Sequence, residues 1–436
     1  MNSSSRISRI ARAVLIASVV LVGAWLSLAS YYGLAPVAFA GELTRVVLAP
    51  LLAAVHGSDL QERRVITSAY IVGIKPLPAR PAAESWKALE KSIPGFQLSK
   101  RAKLTELDAT VPFVYENSSA AYLQEFRQRY HLDEVVKGSK DEYDAMLKLG
   151  AWVGTRWDHG TDEVPGGTQV CDPSAVVAAG TKGAKFWCEI AARTLAHAAN
   201  SLGWPARVIT GSRDGHTWEH AVAEIWSNQF DKWFAIDADF NVVYENGGVP
   251  LSAFELSTQG ERLQREGALQ VRHIAPAKAS LPLVDLIPFF AYVHVDLRTD
   301  WCTRPLPRGS PAGGDRATWW TARRTLPRVL TAKVRIDDAQ TFDWRVNEVA
   351  IYATAASPSA AGTQIQIALA AYSPVFERFE VSVDDAAWSA VEDARQTLVF
   401  SAGEHRVRAR VLTGNGAEGP VSQVAFRLAS QGEAMP

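Results

Sequence analysis

A helical pattern of apolar residues marks the middle of the chain, between positions 188 and 202. The apolar positions that follow Cys188 at this spacing are Ile190, Ala191, Leu195, Ala198, Ala199 and Leu202. Such spacing predicts an amphipathic helix, and Gly203 with Pro205 predicts where it ends. We therefore expect a helix that begins at or near Cys188.

Beyond this helix the pattern becomes typical of strands. Residues 222–226 and 233–236 are β-prone runs on either side of a mostly polar turn, which predicts a hairpin. If Trp226 pairs with Trp233, position 220 lies opposite 239 and diagonal to 237. His220 is then expected to share a face with a carboxylate, and the pattern alone does not choose between Asp237 and Asp239.

Two more helices are predicted before the central one, at residues 120–130 and 140–157, the second with a capping box of Ser139 and Glu142. After position 330 the apolar period changes to two, which predicts short strands. These strands are residues 348–354, 364–369, 379–383, 397–400, 405–412 and 421–428. The predicted fold class is α+β, with a helix packed on an antiparallel sheet, followed by an all-β sandwich.

The chain has 436 residues, which is long enough for two or three domains. Residues 41–112 form a mixed N-terminal region of obscure role, and residues 113–303 form the helix-and-sheet domain. A segment rich in proline and glycine at 304–330 predicts a linker or long loop before the sandwich at 331–430.

The N-terminus carries a targeting signal. Arg6, Arg9 and Arg12 precede an uncharged stretch at residues 13–40, long enough to cross a bilayer, and Ala38-Phe39-Ala40 also matches a signal-peptidase site. Residues 1–40 are therefore a signal peptide or a membrane anchor. The charge asymmetry predicts that the rest of the chain is extracytoplasmic. In a bacterium this means anchored to the inner membrane in the periplasm, or secreted to the cell surface.

The net charge of the chain argues against one class of partner. The formal net charge of −1 gives no electrostatic footprint for nucleic acid, which is therefore not expected as a partner. The expected partners are a protein or cell-wall peptide as substrate and a membrane through the N-terminal segment.

The central helix and hairpin bring together a thiol, an imidazole and a carboxylate. At a helix N-terminus, unpaired backbone N–H groups and the helix dipole stabilise a thiolate, and a neighbouring imidazolium lowers the thiol pKa further. Cys188 is thus a candidate nucleophile, with His220 as its base and Asp237 as the group that orients the ring. Glu224 is expected to support its strand, and His197 is expected to be a core or surface histidine.

Residues 186–240 resemble the core of the transglutaminase-like superfamily, within the wider papain-like cysteine fold. The family pattern is a Cys opening a helix that ends in Gly-x-Pro-Ala-Arg, a His-x-x-x-Glu strand, and an Asp closing the next strand. Carried onto this chain, Cys188 resembles the nucleophile, His220 the base and Asp237 the orienting acid. Phe186 and Val222 stand where the family usually has Gly and an aromatic residue. The last third, on residues 381–388 and 403–410, looks like an immunoglobulin- or fibronectin-type module.

The resemblance implies a cysteine-dependent amide hydrolase or acyl transferase that forms a thioester, with a peptidase favoured over a crosslinking enzyme. The Cys188 N–H is the natural first donor to the oxyanion. Candidates for the second donor are Trp187, Trp157 and Gln169. No metal or organic cofactor is implied. The alternative hypothesis is a non-catalytic papain-like scaffold that binds a partner or polymer of the cell envelope.

Two alternatives concern the other cysteines and histidines. Pairing Cys171 with Cys302 in an oxidising compartment would leave Cys188 free, whereas a bridge from Cys171 to Cys188 would block it, and all three thiols could stay reduced. Sequence does not fix this connectivity. His216 and His220 would be a metal pair only on a helix, which Gly215 and the following β-run argue against.

Overall fold

A computed structural model of the chain describes residues 18–28, 30, 70–99, 102, 104–107, 113–167, 172–213, 219–278, 281, 285–302, 316–319, 334–336 and 338–430. Beyond a helical stretch at residues 18–28, the helices are α1 (Ala82–Ser92), α2 (Ala121–Arg129), α3 (Leu132–Val136), α4 (Glu142–Gly154), α5 (Pro173–Thr181), α6 (Cys188–Ser201), α7 (Ala253–Glu255), α8 (Glu261–Arg265) and α9 (Ala339–Phe342). A π-helical turn at Leu256–Gly260 joins α7 to α8, and a 3₁₀ helix spans Ile287–Ala291.

The strands fall into three sheets. Their bounds are β1 (Ile71–Gly73), β2 (Phe96–Leu98), β3 (Ala206–Ser212), β4 (His220–Ser227), β5 (Lys232–Asp237), β6 (Val242–Asn246), β7 (Val249–Pro250), β8 (Leu269–His273), β9 (Tyr292–Asp296), β10 (Arg316–Trp319), β11 (Val334–Ile336), β12 (Val349–Ser359), β13 (Gly362–Tyr372), β14 (Phe376–Val383), β15 (Ser389–Val391), β16 (Arg395–Phe400), β17 (Gly403–Thr413) and β18 (Ser422–Leu428).

The central sheet has the order β11-β10-β9-β3-β4-β5-β6-β7, with β8 also paired to β6. All its pairings are antiparallel except β10 with β11. Strands β3 and β4 are buried along their whole length because both faces of the sheet are covered. Helix α6 packs across β3 and β4 on one face, where its many alanines let the helix lie close to the sheet.

The predicted end of α6 is confirmed. Gly203 has φ +79°, and its N–H donates to Asn200 O while the Trp204 N–H donates to Ala199 O. This pair of bonds is the Schellman motif, in which glycine supplies the left-handed conformation that closes a helix. Pro205 then leads directly into β3.

The C-terminal sandwich is also present. One sheet contains β12 and β13, with β1 and β16 paired to β13, and the other has the order β15-β14-β17-β18-β2. Their facing side chains share one core, with Ile351 and Leu369 from the first sheet and Val407 and Val424 from the second. The α+β prediction and the strand-rich C-terminal region are therefore confirmed.

The N-terminal region contributes to that sandwich. Strand β1 pairs with β13 and β2 pairs with β18, while α1 packs on β12 and buries Trp86 in the sandwich core. Residues 316–319, which the sequence assigns to the linker, form β10 in the central sheet. Three- and four-residue strands that pair with distant segments carry almost no local signal, so these additions were not predicted.

One further prediction is corrected by the structure, and another falls mostly outside the described residues. Helix α4 begins at Glu142, capped by Asp141, whose side chain accepts from the Asp144 N–H; Ser139 instead donates to Val136 O. The predicted capping box of Ser139 was therefore wrong by two residues.

Most of the predicted signal or anchor at 1–40 lies outside the described residues. No helix in the described part of the chain is long and apolar enough to cross a membrane.

A buried ion pair joins β3 to β4. Arg207 and Glu224 lie opposite each other in the strand register, both with side chains of 0 % exposure, and Arg207 Nε donates to Glu224 Oε2 at 2.6 Å. The guanidinium carbon lies 4.4 Å from the ring centres of both Trp233 and Trp344. Arg207 Nη2 also donates to Asp343 Oδ1 at 2.9 Å. The Arg and Glu of the sequence motif thus fasten two core strands to the segment before the sandwich.

We expect Arg207→Met to lower the free energy of unfolding by about 3–5 kcal/mol, because Glu224 would remain as a buried carboxylate without its cation. Urea unfolding followed by circular dichroism measures this loss. Arg262→Met, which removes an exposed pair with Glu266, is the control and should cost less than about 1 kcal/mol. Equal losses in the two variants would contradict the role given to the buried pair.

Candidate active site

Cys188 is the first residue of α6. Trp187 is its N-cap, with extended backbone angles, and the Trp187 carbonyl accepts from the N–H groups of Ile190 and Ala191. The thiol is half-buried and forms no disulfide with a described residue. The predicted position of Cys188 at a helix N-terminus is confirmed, and the dipole of a fourteen-residue helix favours negative charge on its sulfur.

The hairpin has the expected register. Trp226 lies opposite Trp233, and this pairing continues to Ala223 opposite Ile236. His220 opens β4 and Asp237 closes β5, so their side chains meet across the hairpin. His220 Nε2 donates to Asp237 Oδ2 at 2.6 Å, with the imidazole 5 % exposed and the carboxylate fully buried. The structure therefore brings His220 to Asp237.

The Asp237 carboxylate is held by several donors besides the imidazole. The backbone N–H groups of Asp239 and Phe240 donate to Oδ1 at 3.1 and 2.9 Å. The Tyr244 hydroxyl makes a long contact of 3.5 Å with Oδ2. Hydrogen bonds of this kind fix the orientation of the carboxylate. Burial and the Asp237 charge together raise the pKa of Tyr244 well above 10, so the phenol stays protonated as a donor.

Cys188 is close enough to His220 to influence the pKa of its imidazole. Burial alone would lower the pKa of His220, but Asp237 and Cys188 outweigh it and hold this pKa well above 6.5. The imidazole thus retains its proton at neutral pH, which is the state that can pair with a thiolate.

Two aromatic rings enclose the imidazole. Phe240 meets it edge to face with ring centres 5.3 Å apart, and Phe289 lies 5.5 Å away at an angle of 46°. Arg213 covers the outer side of Phe289. Because Val222 stands at the position where the family has an aromatic residue, rings from the turn after β5 and from the 3₁₀ helix provide the apolar wall here. An apolar wall reduces access of water to the ion pair.

Trp157 is placed next to the segment that leads into Cys188. Its indole packs edge to face on Phe186, with ring centres 5.5 Å apart, and the residue is 5 % exposed. Trp157 Nε1 is buried and has no hydrogen-bond partner among the described residues. A buried N–H without an acceptor is rare, and it marks Trp157 as a donor that a ligand could satisfy. Trp187 is the N-cap of α6, and Gln169 lies outside the described residues.

Asp239 bonds to a different histidine, His159. Its Oδ2 accepts from His159 Nδ1 at 2.7 Å and its Oδ1 from Lys278 Nζ at 3.0 Å. Asp239 is therefore not the carboxylate that bonds to His220, although the hairpin register alone was compatible with either aspartate. The His159–Asp239 pair was not predicted, because its two members lie 80 residues apart and no spacing pattern links them.

The remaining sequence candidates have other surroundings. His197 is buried on α6 against Trp301, and Glu224 is bound to Arg207. Cys171 and His216 lie outside the described residues, so the bridge from Cys171 to Cys302 stays a prediction. Within the described ranges, no cluster of three metal-ligating side chains is found.

Residues 130–238 match the family model of the transglutaminase-like superfamily. The matched segment runs from the end of α2 to the turn after β5, so it contains Cys188, His220 and Asp237. No curated protein matches the chain. The resemblance drawn from the residues is confirmed: the chain carries a transglutaminase-like domain followed by a strand-rich C-terminal region. A match to this family supports a fold of cysteine-dependent hydrolases and acyltransferases.

Replacing Asp237 with Asn should lower the pKa of His220 from well above 6.5 to below it, because burial would then act without the opposing carboxylate. The imidazole resonances of His220, followed by NMR across a pH titration, report this value. Asp239→Asn is the matched control, since that carboxylate bonds to His159. An unchanged His220 titration in Asp237→Asn would contradict the assigned pair.

The same pair predicts how stability depends on pH. A histidine whose pKa is raised on folding stabilises the protein fully below its unfolded value near 6.5. This contribution is lost as the pH rises through the raised pKa of the folded state. The wild-type free energy of unfolding should therefore fall over that interval more steeply than that of Asp237→Asn.

Proposed function

We propose that this transglutaminase-like domain is an extracytoplasmic cysteine-dependent amide hydrolase acting through Cys188, His220 and Asp237. The observation that carries the proposal is the arrangement around His220, with Asp237 bound to Nε2 and Cys188 close enough to raise the pKa of the imidazole. A thiol, an imidazole and a carboxylate in this order of contact form a nucleophile, a base and an orienting group. A structural cysteine has no need of such an arrangement.

Acylation begins from the ion pair of a Cys188 thiolate and a His220 imidazolium. The sulfur attacks the carbonyl carbon of an amide, a C–S bond forms, and the carbonyl electrons move to the oxygen. When the tetrahedral intermediate collapses, the C–N bond breaks and His220 Nδ1 gives its proton to the leaving nitrogen. The product is a thioester on Cys188 and a free amine.

The oxyanion requires donors on the side of the nucleophile. The Cys188 N–H is available because it opens α6, where the first N–H groups have no intrahelical acceptor. We assign the second donor to Trp157 Nε1, since it is buried without a partner among the described residues and its ring packs on Phe186, two residues before Cys188. Trp187 remains the capping residue, and Gln169 has no described position.

Deacylation returns the thiol. Neutral His220 takes a proton from water as the water oxygen attacks the thioester carbon, and collapse of the second tetrahedral intermediate breaks the C–S bond. The carboxylic acid leaves and the thiolate–imidazolium pair is restored. An amine in place of water would give a transferred acyl group by the same steps. We assign water as the acceptor and a protein or cell-wall peptide as the substrate, in keeping with the expected peptidase.

The N-terminal segment supports the place of action. The three arginines before the uncharged stretch at 13–40 support a position of the domain outside the cytoplasm, whether the segment is retained or cleaved. A cell-wall peptide or an envelope protein is within reach of a domain held there.

Cys188 should react with iodoacetamide in the folded protein well below pH 7, because the imidazolium of His220 stabilises its thiolate. His220→Ala should slow this reaction at pH 6 by an order of magnitude or more. Peptide mapping of each cysteine after timed alkylation measures both rates. Cys302, half-buried on the same domain, is the internal control. If Cys188 stays inert until the protein unfolds, the enzyme is excluded and the non-catalytic scaffold takes its place.

Trp157→Phe tests the second donor, because it keeps the ring on Phe186 and removes only the N–H. Acylation of Cys188 by p-nitrophenyl acetate should slow by about 10²-fold, the usual effect of losing one oxyanion donor. Alkylation by iodoacetamide should change little, since that reaction forms no oxyanion. Stopped-flow release of p-nitrophenolate measures the first rate. Equal slowing with both reagents would assign Trp157 a structural role instead.

A further inference from the structure

Two half-buried aromatic rings lie against the imidazole of His220. The ring centres of Phe240 and Phe289 are 5.3 and 5.5 Å from that of the imidazole. The imidazole is only 5 % exposed, and the Asp237 carboxylate bound to it is fully buried. The surface that a ligand meets beside His220 therefore includes the outer parts of these two rings.

Phe289 is held in place through its backbone. It lies in the 3₁₀ helix at Ile287–Ala291, and a Cβ added at Gly211 would collide with the Phe289 carbonyl oxygen. Gly211 lies opposite His220 in the register of β3 and β4. Because Gly211 has no side chain, the 3₁₀ helix approaches β3 closely at this point. The ring of Phe289 thus has a fixed position beside the imidazole.

Phe240 is held by the turn after β5. Its N–H donates at 2.9 Å to Asp237, the same carboxylate that bonds to His220. Its ring meets the imidazole edge to face, at an angle of 79°, which is a favoured arrangement for two aromatic rings. Two separate segments of the chain therefore place an aromatic ring on the same histidine.

The charged side chains near these rings are bound to other protein groups. Arg213 lies over Phe289, with its guanidinium carbon 4.9 Å from the ring centre, and its Nε donates to Glu219 at 3.1 Å. Asp285 accepts from the Ile287 N–H at 3.1 Å, at the start of the 3₁₀ helix. What the two rings offer to a ligand is therefore apolar contact.

The proposed hydrolysis determines which part of the substrate meets this apolar surface. His220 gives its proton to the leaving nitrogen as the C–N bond breaks, so this nitrogen must come within about 3 Å of the imidazole. Groups attached to the nitrogen are then close to the side chains that surround the imidazole. The acyl group is bonded instead to the sulfur of Cys188. The two rings thus belong to the leaving-amine side of the scissile bond.

We propose that Phe289 and Phe240 are specificity-determining residues that bind an apolar side chain on the leaving-amine side of the amide attacked by Cys188. The substrate is then a peptide in which an aliphatic or aromatic residue follows the scissile bond. This inference rests on the proposed function, because it assigns the substrate of the same site. A hydrophobic contact of this kind typically discriminates between substrates by about tenfold or more.

Amine acceptors test this side of the site without a known substrate. When an amine attacks the thioester of acetylated Cys188, the steps of acylation run in reverse. A C–N bond forms, the C–S bond breaks, and neutral His220 takes a proton from the amine. The incoming amine therefore occupies the place of the leaving amine.

The experiment is a competition between two amines. The protein is acetylated with p-nitrophenyl acetate, freed of the reagent by rapid desalting, and mixed with equal concentrations of phenylalaninamide and glycinamide. Mass spectrometry measures the ratio of the two N-acetyl products. This ratio is divided by the ratio obtained with a free acetyl thioester, which corrects for the intrinsic reactivity of the amines. Because both products come from one sample, the amount of active protein cancels.

In the wild-type protein we expect a corrected ratio of about ten in favour of phenylalaninamide. Phe289→Ala should lower the ratio toward one, whereas Phe289→Tyr keeps the ring and should keep the ratio high. Phe240→Ala should also lower it, and this variant decides the question if Phe289→Ala does not fold. Phe376→Ala, which alters a half-buried phenylalanine of the sandwich, is the matched control and should leave the ratio as in the wild type.

The outcomes separate the two proposals. If Cys188 is acetylated and the wild-type ratio is near one, or is unchanged in Phe289→Ala, the apolar subsite is wrong and the hydrolase stands. If Cys188 is not acetylated in the folded protein, the hydrolase is wrong and the subsite falls with it. A high ratio that is lost in Phe289→Ala and kept in Phe289→Tyr supports the subsite.

Discussion

The buried pair of Arg207 and Glu224 is the constraint on which the central sheet depends. A charge without its partner in this core would cost several kcal/mol, so β3 and β4 can adopt only the register that places the two side chains opposite each other. That register sets where β4 begins, and β4 begins at His220. Because the guanidinium also lies near two indoles and bonds to Asp343, the same charge connects the central sheet to the segment before the sandwich.

Given that register, the position at which β5 ends decides whether Asp237 or Asp239 bonds to His220. Strand alternation would put Asp237 and Asp239 on one face, and a sequence pattern has no means of choosing between them. The chain leaves the strand at Asp237, so Asp239 falls in the turn and its side chain points to His159 instead. One short turn thus supplies two buried carboxylates to two imidazoles. Its backbone N–H groups also bind Asp237, which makes the turn part of the support for the proposed triad.

The parts of this architecture that could be predicted are those with a strong local period. Helix α6, the hairpin and six strands of the sandwich follow from apolar spacing, and the glycine after α6 predicts its end. The pairings of β1 and β2 with the sandwich could not be predicted, because three residues with no periodicity gain their structure only from the strand beside them. The His159–Asp239 pair was missed for a related reason. Residues that are far apart in the sequence and come together only in the fold produce no pattern of spacing along the chain. Asp141 displaced Ser139 as the cap because both residue types cap helices well, so sequence favours neither.

The indole N–H of Trp157 is buried and has no acceptor among the described residues. Leaving a buried N–H without an acceptor costs about 1–3 kcal/mol, whereas the indoles of Trp86 and Trp233 donate to Ile351 O and Trp344 O. Phe186, which stands where the family has glycine, holds the Trp157 ring by an edge-to-face contact, so the unpaired donor is fixed rather than free to turn toward an acceptor. Departures from local optimality concentrate where a protein binds or reacts. Under the proposed hydrolysis, Trp157 holds this N–H in a fixed position beside Phe186, two residues before the proposed nucleophile. Such a donor suits an oxyanion, since donors fixed before the reaction require no reorganisation when the charge develops.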